Sequence, residues 1–271
     1  MKTIFQYFFI SLILTLILFS CKEDKIIESE TINSKDYLFA ENVFNDIHLL
    51  IHNAFIGNGE NKSCPTYKII NTDSSNTDTI IVNFGDGNPD DCLVYGKARR
   101  GKMIMIYSGK YRDSLSIIEC TFDNFYINNN RVDGKMVIQN NGRNESGNVT
   151  QTIDIIGASI NRDGSINWEA KRNREIINGY NTILDPLDDR YIVTGHSSGN
   201  TSNGEDFEAN ITSSLFLETK CIEENVCFIT AGEVELVPSG FSSRKINYGD
   251  STCNCNVIMK LNESEYFIVI N

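Results

Sequence analysis

From Cys64 onward the apolar residues recur with period two, and this alternation most constrains the fold. Ile80, Val82 and Phe84 alternate with Thr79, Ile81 and Asn83, and Lys102 to Tyr107 is an apolar run. Val149, Ile153 and Ile155 alternate with Thr150, Thr152 and Asp154, and Ile166, Trp168 and Ala170 with Asn167, Glu169 and Lys171. Successive side chains of a strand point to opposite faces, so this pattern reads as strands with one buried face. Turn clusters separate the runs: Asn128-Asn129-Asn130, Asn140-Asn141-Gly142, Asp163-Gly164, Asn203-Gly204 and Asn262-Glu263. Asn and Gly supply the positive φ that tight hairpins need. Strands spaced this way, without helices between them, predict an all-β antiparallel meander or sandwich.

One segment breaks the pattern. Phe39, Val43, Ile47, Leu50 and Ala54 recur every three to four residues, which predicts an amphipathic helix over 35–57. Ser34 is placed to cap it and Gly57 to stop it. The predicted organisation is a signal peptide (1–20), a tether (21–34), this helix packed on the body, and one antiparallel β domain (58–271).

The N-terminus carries a second strong signal. Lys2 precedes an apolar run from Ile4 to Phe19, and Leu18-Phe19-Ser20 leads into Cys21. A basic start, a short apolar stretch and a small residue before the cleavage point make a secretory signal. A cysteine directly behind it is the pattern of lipidation at Cys21. The run is shorter than the roughly 20 residues of a spanning helix and contains Gln6, Ser11 and Thr15. Lys22-Glu23-Asp24 resembles the surface-export tag of Bacteroidota lipoproteins. The expected location is therefore the outer membrane, lipid-anchored and surface-exposed, with the lipid as the membrane partner.

The chain has 24 basic and 36 acidic residues, a net charge of −12. Removing residues 1–20 takes away only Lys2 and makes the balance more negative. Nucleic-acid binders neutralise phosphates with Lys and Arg clusters, so nucleic acid is not an expected partner.

The runs Asn83-Phe84-Gly85-Asp86-Gly87 before Cys92, Gly101 to Arg112, and Thr121-Phe122-Asp123-Asn124-Phe125-Tyr126 resemble a group of uncharacterised exported Bacteroidota lipoproteins. So do Val132-Asp133-Gly134, Leu187-Asp188-Asp189-Arg190-Tyr191, and Asn247-Tyr248-Gly249-Asp250 before Cys253. The resemblance covers nearly everything from Cys64 to the end. It implies a lipid-anchored β-rich protein and brings no activity and no site residues. Two of these runs also match one another: Val82 to Asp86 before Cys92, and Ile246 to Asp250 before Cys253, hint at an internal repeat.

Seven of the eight cysteines follow Cys21. An exported protein meets an oxidising compartment, so disulfides are expected, and an odd count leaves one thiol over. Cys120 is the expected free thiol, because Ile118, Cys120 and Phe122 share one strand face. Cys64 and Cys92 bracket the first strand run and are expected to pair. Cys227 and Cys253 flank the runs Gly232–Leu236 and Lys245–Tyr248, and the resemblance favours that pair. Cys221 and Cys255 would then form the third bond, with Cys227–Cys255 as the alternative.

No catalytic residue, metal site or cofactor is expected. Gly195-His196-Ser197-Ser198-Gly199 spells G-x-S-x-G, but no histidine follows it, and the stretch reads as a loop. Asp86, Asn88 and Asp90 alternate like calcium ligands, yet Asp91 stands where glycine is needed and Lys97 where glutamate is needed. His48 and His52 share a helix face and read as solvated, since zinc needs three or four ligands. Cys221, Cys227, Cys253 and Cys255 are poorly spaced for zinc. Trp168, Arg172 and Arg174 with scattered Tyr and Phe would suit a sugar-binding face, or simply a β core. These readings point to a non-catalytic envelope protein with a structural or interaction role. The alternative is a glycan-binding accessory of a polysaccharide-uptake system.

Overall fold

The structure, a computed structural model, describes residues 31–57, 63–71, 77–87, 92–109, 112–162, 164–225 and 227–270. Helix α1 spans residues 31–56. The strands are β1 (Thr66–Asn71), β2 (Asp78–Asn83), β3 (Leu93–Val94), β4 (Lys97–Ser108), β5 (Ile117–Ile127), β6 (Asn130–Arg143) and β7 (Val149–Arg162). Then come β8 (Gly164–Asn178), β9 (Arg190–Asn200), β10 (Asp206–Glu218), the short helix α2 (Cys221–Asn225), β11 (Ile229–Pro238), β12 (Arg244–Asp250), β13 (Asn256–Leu261) and β14 (Ser264–Val269). All the strands form one antiparallel meander from β1 to β14, with β3 pairing β4 beside the main path. The all-β class with one N-terminal helix is as the alternation predicts, and the single sheet makes it a meander, not a sandwich.

Local chemistry sets the hairpins. Asn128 and Asn129 both have positive φ, 46° and 65°, and join β5 to β6 in the two-residue turn that matches strand twist. Asn203-Gly204 and Asn262-Glu263 also form turns. Asn140-Asn141-Gly142 does not: it lies within β6, where the register slips against β7 between Asn140 and Gly142. The chain is bulged there, and a bulge uses the same residues as a turn. The suspected repeat has a local counterpart. Asn83 Oδ1 accepts from the Gly85 N–H at 3.0 Å, and Asn247 Oδ1 accepts from the Gly249 N–H at 2.8 Å. Phe84 and Tyr248 are both buried between them.

The helix is the centre of the molecule. The predicted stripe is buried from Val43 to Ala54, with Phe39 partly so, but Tyr37, Leu38, Ala40, Phe44, Leu49 and Ile51 on its other faces are buried too. Tyr37 meets Trp168 of β8 and Phe207 of β10, His48 meets Tyr191 of β9, and Phe55 meets Tyr107 of β4. Ser34 Oγ reaches Met259 Sδ of β13 at 2.9 Å. Strands from β4 to β13 therefore curl around the helix; between its two ends Lys35 is exposed and Phe39, Asn42 and Asn45 are partly exposed. The chain is already helical at Thr31, four residues before the predicted start. Asn33 and Ser34 are fully buried, so packing extends the helix past the residue that sequence alone marks as a cap.

Candidate functional site

The densest polar chemistry lies between the helix and the wall around it. Asp46 is fully buried and meets Arg99 of β4 twice, Nη1 to Oδ2 at 2.7 Å and Nη2 to Oδ1 at 2.9 Å. Lys97 Nζ lies 3.7 Å from Asp46 Oδ1. Burial alone would raise the Asp46 pKa, but Arg99 and Lys97 outweigh it and hold the carboxyl below its ordinary value. One helical stretch earlier, Glu41 Oε2 accepts from Arg172 Nη2 at 2.6 Å and from the Tyr37 hydroxyl at 3.3 Å. The same Arg172 nitrogen lies 3.2 Å from Ser197 Oγ of β9. Burial, with Glu41 nearby, pushes the Tyr37 and Tyr248 phenols well up.

A third cluster ties the helix to two loops. Arg112 Nη2 donates to both Asp189 oxygens, at 3.1 and 2.8 Å, and Nη1 donates to the carbonyls of Gly179 and Tyr180, each at 2.8 Å. The Tyr191 hydroxyl donates to Asp189 Oδ2 at 2.6 Å. His52 places Nδ1 3.0 Å from Asp189 Oδ2 and Nε2 3.0 Å from the Ile183 carbonyl oxygen. Burial raises the Asp189 pKa, but His52, Arg112 and Tyr191 together bring it below the ordinary value. His48 is held well below its ordinary pKa, first by burial and then by Arg174, His52 and Arg112. Two runs that carry the lipoprotein resemblance, Gly101 to Arg112 and Leu187 to Tyr191, meet in this cluster. At the other helix end, Asp36 Oδ2 accepts from the backbone and the hydroxyl of Ser202 at 2.7 and 2.6 Å.

This arrangement corrects several expectations. His48 and His52 are buried, not solvated, because the wall covers every face of that part of the helix. Ser197 lies in strand β9, not in a loop, and is buried against Arg172. Gly195 and Gly199 serve close strand approach: a Cβ on Gly195 would sit 2.1 Å from the Lys171 carbonyl oxygen, and one on Gly199 1.9 Å from that of Asn167. Trp168, Arg172 and Arg174 point inward, so they line no sugar-binding face. Of the inward arginines of β8, Arg172 meets the helix carboxylate Glu41 and Arg174 lies over the Tyr191 ring. Sequence reasoning gave no role to Glu41, Asp46, Arg99 or Arg112. Their signal was an acidic residue within an apolar helix and basic residues at inward strand positions such as Lys97, Arg99, Arg172 and Arg174.

Cys64 pairs with Cys92 across a Cα separation of 5.5 Å, and Cys120 is free and buried, as expected. The other bonds are Cys221–Cys253 and Cys227–Cys255, not Cys227–Cys253 and Cys221–Cys255. Nested pairing would need the two segments to run antiparallel. The turn of α2 between Cys221 and Cys227 brings the segment alongside 253–255 in the same sense. The Cα separations of 5.1 and 5.5 Å suit bonded pairs. These four cysteines are in disulfides, which removes them as zinc ligands. Cys21 and the candidate calcium ligands Asn88 and Asp90 lie outside the described residues, as does Asp91, and Asp86 is in an exposed bend. Among the described residues no group of three or more His, Cys, Asp and Glu side chains is placed to hold a metal ion.

Among the described residues, two open concavities stand out at the surface. One, of about 440 Å³, lies beside the third cluster between Asn178, Leu187, Asp188 and Glu223, with Arg190 and Lys220 both paired to Glu218. The other, of about 370 Å³, is a groove on the outer face of β7, β8 and β9. The chain matches no protein-family model, no curated protein and no solved structure.

Proposed function

We propose that this is a non-catalytic, lipid-anchored cell-envelope protein of the Bacteroidota type, displayed at the outer-membrane surface, with a structural or interaction role. The observation that carries the reading is the Leu18-Phe19-Ser20-Cys21 ending behind a basic, apolar start. From Cys21 to residue 31, ten residues fully extended reach at most about 35 Å, so lipid at Cys21 would keep the body close to the bilayer. The buried groups support a non-catalytic role. Ser197, the helix histidines and the arginines would be the first candidates for chemistry, and they are enclosed and used to hold the helix.

Mass spectrometry of the membrane-extracted protein tests the anchor. The expected mature N-terminus is an acylated Cys21, and Cys21→Ser should leave the membrane fraction. An intact Met1 on membrane-bound protein, or cleavage elsewhere without lipid, would end the proposal. A single acyl chain anchors only marginally, so stable membrane association also requires multiple acylation. A glycan-binding accessory role is the second reading. What favours it is the open groove on β7–β9, whose polar side chains make no hydrogen bond or ion pair among the described residues.

A further inference from the structure

We infer that the groove on the outer face of β7, β8 and β9 binds the hydroxyls of a neutral carbohydrate, through Asp154, Glu169, Lys171, His196 and Ser198 around Ile156. This inference rests on the glycan-binding reading above and is independent of the lipid anchor.

Register places the groups together. Asp154 lies opposite Lys171, Lys171 opposite His196, and Glu169 opposite Ser198. Directly opposed residues have Cβ atoms about 4.5–5.5 Å apart, so the five form two adjoining rows across three strands. The hollow has a backbone cause. The register of β7 against β8 slips between Ile155 and Ala158, and a bulge there kinks the strand and re-aims its side chains. Gly157, inside the bulge, adds no side chain, and the space where its Cβ would stand is empty to 4 Å.

The second observation is how these side chains behave. Two opposed pairs elsewhere on the outer face close on one another, Lys102 with Asp123 at 3.3 Å and Arg190 with Glu218 at 3.2 Å, whereas Lys260 and Glu265, also opposed, form no ion pair among the described residues. Asp154 and Lys171 are opposed in the same way and form no such pair. Among the described residues, none of the five groove side chains has a hydrogen bond or ion pair to another side chain or to the backbone. Two carboxylates that accept, an ammonium that donates, and an imidazole and a hydroxyl that do either thus all remain open to a ligand. Ile156, 44% exposed, supplies an apolar contact beside them. Closely spaced acceptors and donors next to one aliphatic surface match a pyranose, which offers adjacent hydroxyls on its rim and C–H groups on its face. Opposite charges side by side disfavour a polyanion and a polycation alike.

The test uses the full mature chain, with or without lipid, in a sugar-free zwitterionic detergent. Maltotriose, cellotriose, xylotriose, mannotriose and chitotriose are titrated by calorimetry, and bound sugar is located by hydrogen–deuterium exchange. At least one trisaccharide should bind saturably and slow exchange in 154–158, 169–171 and 196–198. Glu169→Gln and Lys171→Met, both at exposed positions, should each weaken that binding by about tenfold, the cost of one hydrogen bond to a charged group. Lys260→Met, on the far part of the sheet, should not. Protection mapping to another surface, or unchanged affinity in both groove variants, would overturn the groove while leaving glycan binding standing. Absence of binding by all five sugars would overturn the glycan reading with it. The anchor is judged separately by the mass of the mature N-terminus.

Discussion

Replacing Asp46 by Asn should cost far more stability than its single lost charge suggests. The substitution keeps size and shape, so packing is conserved. It leaves the Arg99 guanidinium, 1% exposed, without its counterion, and Lys97 nearly as enclosed. Removing one partner of a buried pair strands the other charge in a poorly solvated site, at about 3–5 kcal/mol. In a domain of this size, that lowers the melting temperature by about 6–20 °C. The exposed pair Lys102–Asp123 provides the contrast, because its side chains are 37% and 47% exposed. Asp123→Asn should therefore cost at most about 1 kcal/mol. Asp46→Leu combined with Arg99→Met removes both charges and should recover much of the loss, since a well-packed apolar pair can equal a buried ion pair. Urea denaturation followed by circular dichroism, with disulfides intact, measures all four proteins. The reasoning fails if Asp46→Asn stays within about 1 kcal/mol of the parent, or if the double variant is no better than the single one.

Stability should fall on mild acidification. Burial keeps His48 neutral in the folded chain, whereas the unfolded chain takes up a proton near pH 6.5. The contribution is fully present above about pH 6.5 and is lost as pH falls below it. Asp46 and Asp189 have lowered pKa values, so their contributions are lost only below about pH 4. Urea midpoints at three pH values should show the upper slope, and His48→Phe should flatten it; a parent that gains stability on acidification to about pH 5.5 counts against the assignment. Cys120 should be inert to a thiol reagent until the chain unfolds, because burial pushes its thiol pKa up; reaction at native rates under non-denaturing conditions would contradict its placement. A non-reducing peptide map should recover Cys221 with Cys253 and Cys227 with Cys255, each loop contributing about 3–4 kcal/mol in the chain-entropy account. Gly195→Ala should destabilise by about 2–4 kcal/mol, since its φ of 129° and the Lys171 carbonyl both exclude a Cβ. Gly204→Ala, in open space, should cost only about 1 kcal/mol, and equal losses at the two sites would refute the close-approach argument.

What the sequence determined by itself was local. Period-two alternation placed Ile80, Val82, Ile153, Ile166 and Trp168 on one face, and the parity that put Cys120 beside Ile118 holds because side chains alternate wherever a strand runs. Adjacent asparagines at 128 and 129 set a hairpin because backbone sterics decide φ within a few residues. The Gly57 stop is local in the same way, with φ at +66°. The tertiary structure decided everything that depends on distant partners. The stripe from Phe39 to Ala54 called for one buried helix face, yet the sheet curls far enough to bury the others. That curl turns Glu41, Asp46, His48 and His52 from surface groups into buried ones, and it makes Arg99 the counterion of Asp46, Arg172 that of Glu41 and Arg112 that of Asp189. No periodicity records that pairing, because the partners sit 53, 77 and 131 residues apart. The crossed disulfides of Cys221 and Cys227 and the groove on β7–β9 have the same origin. A turn of helix and a one-residue slip of register set which segments meet, and both emerge only when the strands pack.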